Sequence, residues 1–267
     1  MSKIEEKLLH QLIAERYGDG SVPEKMFRYV GGGWYSPDET PDSLKAEMRG
    51  YLEQGYTLVK AKVGGLPIDD DVRRIEAILS VLDGSHQLAV DANCSMSRER
   101  ALQYAERFKP IGLRWFEEPV HPIDFEATSD FVKAYGNPVA TGENLFSTED
   151  FQNLLRYGGF RPGSDVLNID IPQSYGIDTC ARTIEMAGGL GWNTTSFSPH
   201  GGNQMSLACA LGFGMGMCES YPDVFGAFSG YADDAIVENG YLPAPKLPGV
   251  GFDGQSVLYG LFKELMA

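Results

Sequence analysis

The sequence predicts an α/β protein built as a (β/α)8 barrel of the TIM type. Short apolar runs typical of buried strands alternate with amphipathic helical stretches, and one such unit recurs about every 25 residues. The strand-like runs lack an alternating polar face, so both faces must be covered, as in a parallel sheet surrounded by helices. A doubly wound sheet satisfies the same pattern, but eight units within about 220 residues favour the barrel.

Helices are predicted where apolar residues return every three or four positions and a turn signal follows. Ile4, Leu8 and Leu12 mark the first helix, and Gly18 lies directly after it. The predicted helices are Ile4–Tyr17, Asp42–Gln54, Ile68–Val81, Ser97–Phe108, Phe125–Ala134, Thr148–Arg156, Ile177–Gly188, Gln204–Leu211 and Ser256–Met266.

Strands are predicted at short apolar runs that stop at glycine or at a charged residue. These runs are Met26–Val30, Thr57–Val63, Gln87–Val90, Leu113–Phe116, Pro138–Thr141, Asp165–Ile169, Asn193–Phe197 and Gly214–Met217. The pattern divides the chain into a helix before the barrel at residues 1–20, the barrel at 21–221, and a C-terminal extended segment with a final helix at 222–267.

Composition narrows the classes of partner. The 267 residues are 43% hydrophobic and 22% charged. The net charge of -15 argues against nucleic-acid and anionic-membrane partners.

No CxxC pair occurs among Cys94, Cys180, Cys209 and Cys218, so neither a disulfide framework nor a zinc site is expected. The start carries no signal-peptide pattern and no apolar run is long enough to cross a bilayer, so we expect a cytoplasmic protein.

Lys60 and Lys62 lie in a short apolar strand, where their side chains point to the same face. Two buried ammonium groups are unfavourable unless anions lie opposite them. Burial, a second lysine and a nearby dication all favour the neutral form of a lysine, which is the form that acts as a base. We therefore predict that Lys62 is a catalytic base. The alternative is a lysine pair that only neutralises carboxylates.

Asp91, Glu117 and Glu143 follow successive apolar runs at spacings of 26 residues. Strand ends of this kind meet at the mouth of a barrel, where three carboxylates repel one another unless a cation lies among them. Ligation by oxygen alone suits Mg2+. Each carboxylate alone could cap the following helix, but three at equal spacing beside two lysines predict a metal site. Glu118 directly follows Glu117 and is expected to face away from it.

Asp170 and His200 end the sixth and seventh predicted strands, which are neighbours in a barrel. A carboxylate fixes the tautomer of an imidazole and raises its basicity, so this pair predicts a second acid or base. The other histidines, His10, His86 and His121, lie in helix, loop or turn surroundings. A metal ion, a lysine base and an imidazole acid together suit abstraction of the proton next to a carboxylate.

These motifs resemble the mandelate racemase subgroup of the enolase superfamily. They are the segment Lys60–Lys62, the carboxylates Asp91, Glu117 and Glu143, and the pair Asp170 and His200. Within the subgroup the chain is most similar to the D-tartrate dehydratases, in the stretches Ala140–Ser147, Pro199–Leu207 and Glu219–Asp223. The resemblance extends over the whole chain.

The resemblance implies a Mg2+-dependent hydro-lyase that dehydrates tartrate or a related acid sugar, with D-tartrate to oxaloacetate as the specific reaction. Lys62 is implied to remove the proton next to the metal-bound carboxylate. His200, held by Asp170, is implied to protonate the departing β-hydroxyl. Lys60 is implied to stabilise the enediolate that forms.

Further expectations come from the same resemblance. Lys60, Asn93 and Glu219 are the implied substrate contacts, the partner is a small dicarboxylate or acid sugar, and the protein is a homo-oligomer. Members of the family carry an N-terminal α+β capping domain that this sequence lacks, so we expect Mg2+ binding with slow turnover. The alternatives are a racemase or another acid-sugar dehydratase of the subgroup, and a non-catalytic barrel fragment.

Overall fold

The computed structural model describes residues 1–222, 224–228 and 230–266, and its central feature is a parallel sheet rolled into a barrel. The barrel strands are β1 Lys25–Gly32, β2 Val59–Lys62, β3 Leu88–Asp91, β4 Phe116–Glu117, β5 Val139–Thr141, β6 Val166–Ile169, β7 Phe197–Pro199 and β8 Cys218–Ser220. The helices are α1 Leu9–Tyr17, α2 Pro41–Glu53, α3 Ile68–Leu79, α4 Arg98–Phe108, α5 Phe125–Tyr135, α6 Thr148–Tyr157, α7 Ile177–Gly188, α8 Gln204–Phe213 and α9 Ser256–Met266.

The strands follow the order β7-β6-β5-β4-β3-β2-β1-β8, and the neighbours in this order run parallel. The two end strands come close together, because the N–H of Gly216, just before β8, donates to the carbonyl oxygen of Phe197 in β7 at 3.2 Å. The barrel is therefore nearly closed. This topology confirms the predicted (β/α)8 barrel.

Inside the barrel, alternate strand residues form a separate apolar cluster. Its members are Tyr29, Leu58, Ala89, Trp115, Ala140, Val166 and Met217. Lys60 of β2 and Glu117 of β4 each lie two positions after a member of this cluster, Leu58 and Trp115 respectively. Because side chains alternate along a strand, Lys60 and Glu117 point to the same side as the cluster. The apolar cluster thus lies directly below the polar residues of the mouth in the barrel interior.

The first helix is shorter than predicted. It begins at Leu9 and not at Ile4, because the N–H of Leu9 donates to the carbonyl oxygen of Gly249 at 2.9 Å and Leu8 forms an isolated bridge with the same residue. The chain before Leu9 is therefore paired with the C-terminal segment, and Ile4 is exposed.

Several strands begin later than predicted, and the differences are largest for β7 and β8. β7 starts at Phe197, because the side chain of Asn193 accepts from the N–H of Thr195 and caps a short 3-10 turn. β8 covers Cys218–Ser220, because Gly214 ends α8 with a φ of +66°. Glu219 consequently lies within β8 and not after it.

The C-terminal segment contributes one strand that the sequence did not predict. β9, Tyr241–Pro243, pairs antiparallel with the start of β1. The final helix spans Ser256–Met266, as predicted. The division into residues 1–20, 21–221 and 222–267 remains a prediction, and Asp223, at the end of one of the motifs, lies outside the described residues. No helix in the described part of the chain combines the length and apolar character needed to cross a membrane.

Candidate active site

Six residues predicted for the site lie at the carboxyl ends of barrel strands. Lys62, Asp91 and Glu117 end β2, β3 and β4, and Glu143, Asp170 and His200 follow β5, β6 and β7. The sheet register pairs Lys62 with Asp91, and Asp91 with Glu117. The barrel therefore places these three side chains in one row across three neighbouring strands.

Both lysines are buried and both contact carboxylates. Lys62 Nζ donates to Asp91 Oδ2 at 2.6 Å. Lys60 Nζ donates to Glu117 Oε1 and lies 2.7 Å from Glu219 Oε1 and 3.3 Å from Asp91 Oδ2. Since both lysines reach Asp91, their side chains share one face of β2, as strand alternation requires.

These contacts keep Asp91 and Lys60 charged. Burial alone would raise the pKa of Asp91, but attraction from Lys60 and Lys62 outweighs it and lowers that pKa to about 2. Burial alone would lower the pKa of Lys60, but Glu117 and Glu219 raise it well above the usual lysine value. Lys60 is therefore a fixed positive charge, suited to stabilising negative charge and not to proton transfer.

Glu117 and Glu143 are less well neutralised than Asp91. Burial raises the pKa of Glu117 to about 7 against the attraction of Lys60. Burial also raises the pKa of Glu143 to about 9, and repulsion from Glu118 adds to the effect. Among the described residues, the basic side chain within 4 Å of Glu143 is His200, with Nε2 at 3.8 Å from Oε2. The raised pKa of each carboxylate indicates that its negative charge is incompletely compensated, so the cluster has a shortage of positive charge.

The donor chemistry of the site fits a hard cation. Six carboxylates surround three basic side chains, the carboxylates being Asp91, Glu117, Glu118, Glu143, Asp170 and Glu219 and the basic groups Lys60, Lys62 and His200. A divalent cation bound by oxygen ligands would neutralise this excess of negative charge.

The observed side-chain positions do not themselves form a metal cage. Within residues 1–222, 224–228 and 230–266, no three His, Cys, Asp or Glu side chains are arranged to hold an ion. Asp91 and Glu117 are turned toward Lys62 and Lys60. Metal binding by Asp91, Glu117 and Glu143 thus requires that Asp91 and Glu117 turn from the lysines toward Glu143.

Asp170 and His200 form a hydrogen-bonded pair. His200 Nδ1 lies 2.7 Å from Asp170 Oδ2, and the backbone N–H of Gln173 donates to Asp170 Oδ1 at 2.8 Å. Burial alone would lower the pKa of His200, but the bond to Asp170 and the charges of Glu219 and Glu143 raise it to about 9. The imidazole is therefore protonated at neutral pH and can act as an acid.

Two of the three predicted substrate contacts, Asn93 and Glu219, occupy different places. Asn93 is exposed at the mouth, and its backbone N–H donates to Asp91 Oδ1 at 2.8 Å. Glu219 is fully buried. Burial would raise the pKa of Glu219, but attraction from Lys60 lowers it. Contact of either side chain with substrate remains a prediction.

That Glu118 faces away from Glu117 stays a prediction, but its charge acts on the other carboxylates of the cluster. Its φ of +46° bends the backbone after β4, so its charge is close enough to raise the pKa of Glu143. Glu118 Oε1 accepts from Asn144 Nδ2 at 2.8 Å. A positive φ at a non-glycine residue is uncommon and leaves no signal in an apolar pattern.

Two aromatic residues at the mouth, Trp34 and Tyr221, were not identified from the sequence. Tyr221 lies two positions after Glu219, so strand alternation could have placed it on the same side. Trp34 follows the glycines that end β1, where no periodic signal exists. Its ring centre lies 4.5 Å from Lys62 Nζ, so it covers the predicted base.

Comparison with known proteins connects this geometry to a family. The sequence profile of the family described as Enolase C-terminal domain-like matches residues 43–255. Arabinonate dehydratase from Saccharolobus solfataricus is 24% identical over 269 residues, which cover 99% of this chain and 68% of that protein. The 3,6-anhydro-alpha-L-galactonate cycloisomerase from Streptomyces coelicolor is 31% identical over 211 residues, which cover 78% of this chain and 55% of that protein.

A similar solved structure is that of L-talarate dehydratase from Polaromonas sp. JS666, complexed with Mg and L-glucarate. It has a TM-score of 0.78 at 24% identity, and the match covers 94% of this chain and 65% of that chain. This likeness shows the shared fold. The present chain therefore spans between 55% and 68% of the length of these three proteins.

Proposed function

This chain belongs to the Enolase C-terminal domain-like family of the enolase superfamily, and we propose that it is the catalytic barrel of a Mg2+-dependent dehydratase for tartrate or a related acid sugar. One observation supports this most strongly. Lys62 and the Asp170–His200 pair lie on different strands around one cluster of buried carboxylates. A base and an acid around an anionic cluster suit removal of a proton and a hydroxyl group from one substrate.

The metal ligands in this proposal are Asp91, Glu117 and Glu143. They are carboxylates at the ends of three successive strands, and the cluster holds more negative than positive charge. Bound Mg2+ would supply positive charge at the substrate carboxylate and make the neighbouring proton more acidic. The lysines that now neutralise Asp91 and Glu117 would then be free to face the substrate.

Lys62 is the proposed base, because it is buried at the end of β2 and its Nζ points into the mouth toward Asp91. His200 is the proposed acid, since its protonated form is favoured and Asp170 fixes its ring. Lys62 would take the proton next to the carboxylate, and His200 would give its proton to the β-hydroxyl as water leaves. Lys60 would hold positive charge where negative charge develops on the substrate.

D-tartrate is the specific substrate that we propose, with oxaloacetate as the product after the enol tautomerises. The motifs in residues 140–147, 199–207 and 219–223 favour it. The names of two similar proteins, arabinonate dehydratase and L-talarate dehydratase, support the broader class of acid-sugar substrates. We propose Asn93 and Glu219 as contacts to the part of the substrate beyond the metal.

A second candidate is a reaction of the same type that keeps the hydroxyl group, such as racemisation. Similarity to a cycloisomerase favours this alternative. Lys62 and His200 could exchange a proton at one carbon from two sides, because both are basic side chains at the mouth. The two candidates share the metal and the base and differ in the fate of the β-hydroxyl.

Proton NMR in D2O separates the candidates. The protein is incubated with Mg2+ and D-tartrate, and in a second experiment with Mg2+ and L-glucarate. The wild type is compared with Lys62→Ala. The control is Lys133→Ala, which changes an exposed lysine on α5. We expect loss of substrate and formation of a 2-keto acid in the wild type and in Lys133→Ala only. Deuterium exchange without a keto acid would indicate racemisation. Turnover by Lys62→Ala at the wild-type rate would exclude the proposed base.

A further inference from the structure

Three aromatic rings line one side of the barrel mouth, and we call them the aromatic wall: Trp34, Tyr221 and Phe225. The ring centres of Trp34 and Tyr221 are 6.0 Å apart, and those of Tyr221 and Phe225 are 5.7 Å apart. Lys62 Nζ lies 4.5 Å from the ring centre of Trp34, and the His200 ring lies 6.3 Å from that of Tyr221. The aromatic wall therefore borders both the proposed base and the proposed acid.

Glycines in β1 and just after it allow close packing at the mouth, and one of them leaves room for the aromatic wall. A Cβ atom at Gly31 would collide with the ring of Tyr221. Gly33 has a φ of +58°, and a Cβ there would lie 2.8 Å from the Cβ of Ala61. The glycines ahead of Trp34 thus serve close packing at the mouth in addition to ending a strand.

Arg74 contacts both residues that flank Trp34. Its guanidinium donates to the carbonyl oxygen of Gly33 at 2.8 Å, and it lies 4.2 Å from the ring centre of Tyr35. The same side chain donates to the carbonyl oxygen of Lys62 at 2.7 Å. The position of Trp34 relative to Lys62 is therefore set by one buried arginine and not by a free loop.

The outer part of the aromatic wall is open to solvent. Trp34 is 42% exposed and Phe225 is 52% exposed. Exposed aromatic surface beside a polar site is typical of ligand contact, because the rings take the apolar parts of a ligand and the polar groups orient it. In a polyhydroxy acid the apolar part is the C–H face of the carbon chain.

We propose that Trp34 is a specificity-determining residue whose ring packs against the carbon chain of a polyhydroxy acid bound at the mouth. This inference rests on the proposed function, which supplies the acid. Tyr221 continues the surface toward His200. The carboxylate and hydroxyl groups of the acid are left to the lysines and carboxylates on the other sides of the mouth.

Tryptophan fluorescence tests this contact directly. The sequence has three tryptophans, of which Trp115 and Trp192 are only 0% and 6% exposed. D-tartrate and L-glucarate are titrated separately into the protein with Mg2+, and binding is followed in parallel by calorimetry. We expect a saturable change in emission in the wild type. Trp34→Phe should bind the acid with a smaller change, because Trp115, whose Nε1 donates to Glu117 Oε2 at 2.7 Å, still reports on the site. The difference between the two proteins is the Trp34 emission.

Affinity provides an independent readout. We expect Trp34→Ala to bind the acid about tenfold more weakly and Trp34→Phe to stay within about threefold of the wild type, because phenylalanine keeps an aromatic face. Tyr157→Ala, at an exposed aromatic residue on α6, is the control and should bind like the wild type.

The outcomes separate this inference from the proposed function. Calorimetric binding with no change in Trp34 emission, or wild-type affinity in Trp34→Ala, would overturn the role of Trp34 alone. Absence of heat with either acid would overturn the proposed function and this role together. Because the Trp34 emission is the difference between the wild type and Trp34→Phe, which keeps an aromatic ring, this test stays decisive even if Trp34→Ala does not fold.

Discussion

Lys62 and His200 are proposed to move different protons, so their effects can be separated. His200→Asn removes the acid that assists departure of the hydroxyl group but leaves Lys62 in place. We expect dehydration to fall by about 100-fold or more, while Lys62 still exchanges the proton next to the carboxylate for deuterium. NMR in D2O measures both rates in one sample.

The control for this prediction is His121→Asn, at an exposed histidine after β4. It should retain both rates, since its side chain lies on the surface. Equal loss of exchange and dehydration in His200→Asn would contradict the separate roles and would indicate that His200 mainly supports the structure of the mouth.

At the residue scale, the direction of a side chain can be predicted from the sequence where it depends on strand alternation alone. Lys60 and Lys62 both reach Asp91 because positions two apart on a strand share a face. The place of Glu118 near Glu143 could not be predicted, because its positive φ leaves no signal in an apolar pattern. Trp34 could not be predicted either, because its position depends on Arg74, which is distant in sequence.

At the scale of elements, α1 packs unusually closely on α8. A Cβ atom at Gly212 of α8 would lie 2.6 Å from the Cβ of Ile13 and 2.9 Å from the carbonyl oxygen of His10. We therefore expect Gly212→Ala to push the helices apart and lower the free energy of unfolding by about 1–3 kcal/mol. Urea unfolding followed by circular dichroism measures the change.

Gly50→Ala is the matched control, because Gly50 lies inside α2 and a Cβ there meets nothing within 4 Å. Alanine is the better helix former, so we expect a gain of about 0.5–1 kcal/mol. If Gly212→Ala stabilised the protein as much as Gly50→Ala, the close packing of α1 on α8 would be incorrect.

The order and type of the elements were easier to predict than their ends. Apolar periodicity identified the helices, and the final helix Ser256–Met266 was predicted with its observed bounds. The start of α1 and the place of β8 were wrong, because a pairing with Gly249 and a left-handed Gly214 set them. Such contacts join parts of the chain that a local pattern cannot relate.

At the scale of the whole molecule, the buried His10 makes the free energy of unfolding depend on pH. Burial lowers the pKa of His10, so the unfolded chain binds a proton more readily than the folded one. Its contribution to stability is complete above about pH 6.5 and declines as the pH falls, by at most about 1.4 kcal/mol for each pH unit. We expect His10→Gln to show a smaller loss of stability between pH 7.5 and 5.5 than the wild type.

Urea unfolding at the two pH values measures this difference. His86→Gln, at an exposed histidine, is the control and should lose stability in parallel with the wild type. If His10→Gln and the wild type lost the same free energy on acidification, the burial of His10 would have no role in the pH dependence.

The barrel explains why residues far apart in the chain form one site. Eight parallel strands must bring their carboxyl ends to a single mouth, so the placement of charged residues after apolar runs was sufficient to predict where they meet. It was not sufficient to predict how they pair, because Asp91 and Glu117 contact lysines and leave Glu143 without a strong cationic partner.

The central claim is that the mouth of the barrel binds Mg2+, and calorimetric titration of Mg2+ tests it most directly. The titration is made with the wild type, with Glu143→Gln, and with the control Glu149→Gln at an exposed position of α6. We predict one binding site in the wild type and in Glu149→Gln, and binding at least about tenfold weaker in Glu143→Gln. Absence of binding in the wild type, or equal affinity in all three proteins, would contradict a metal centre at this mouth.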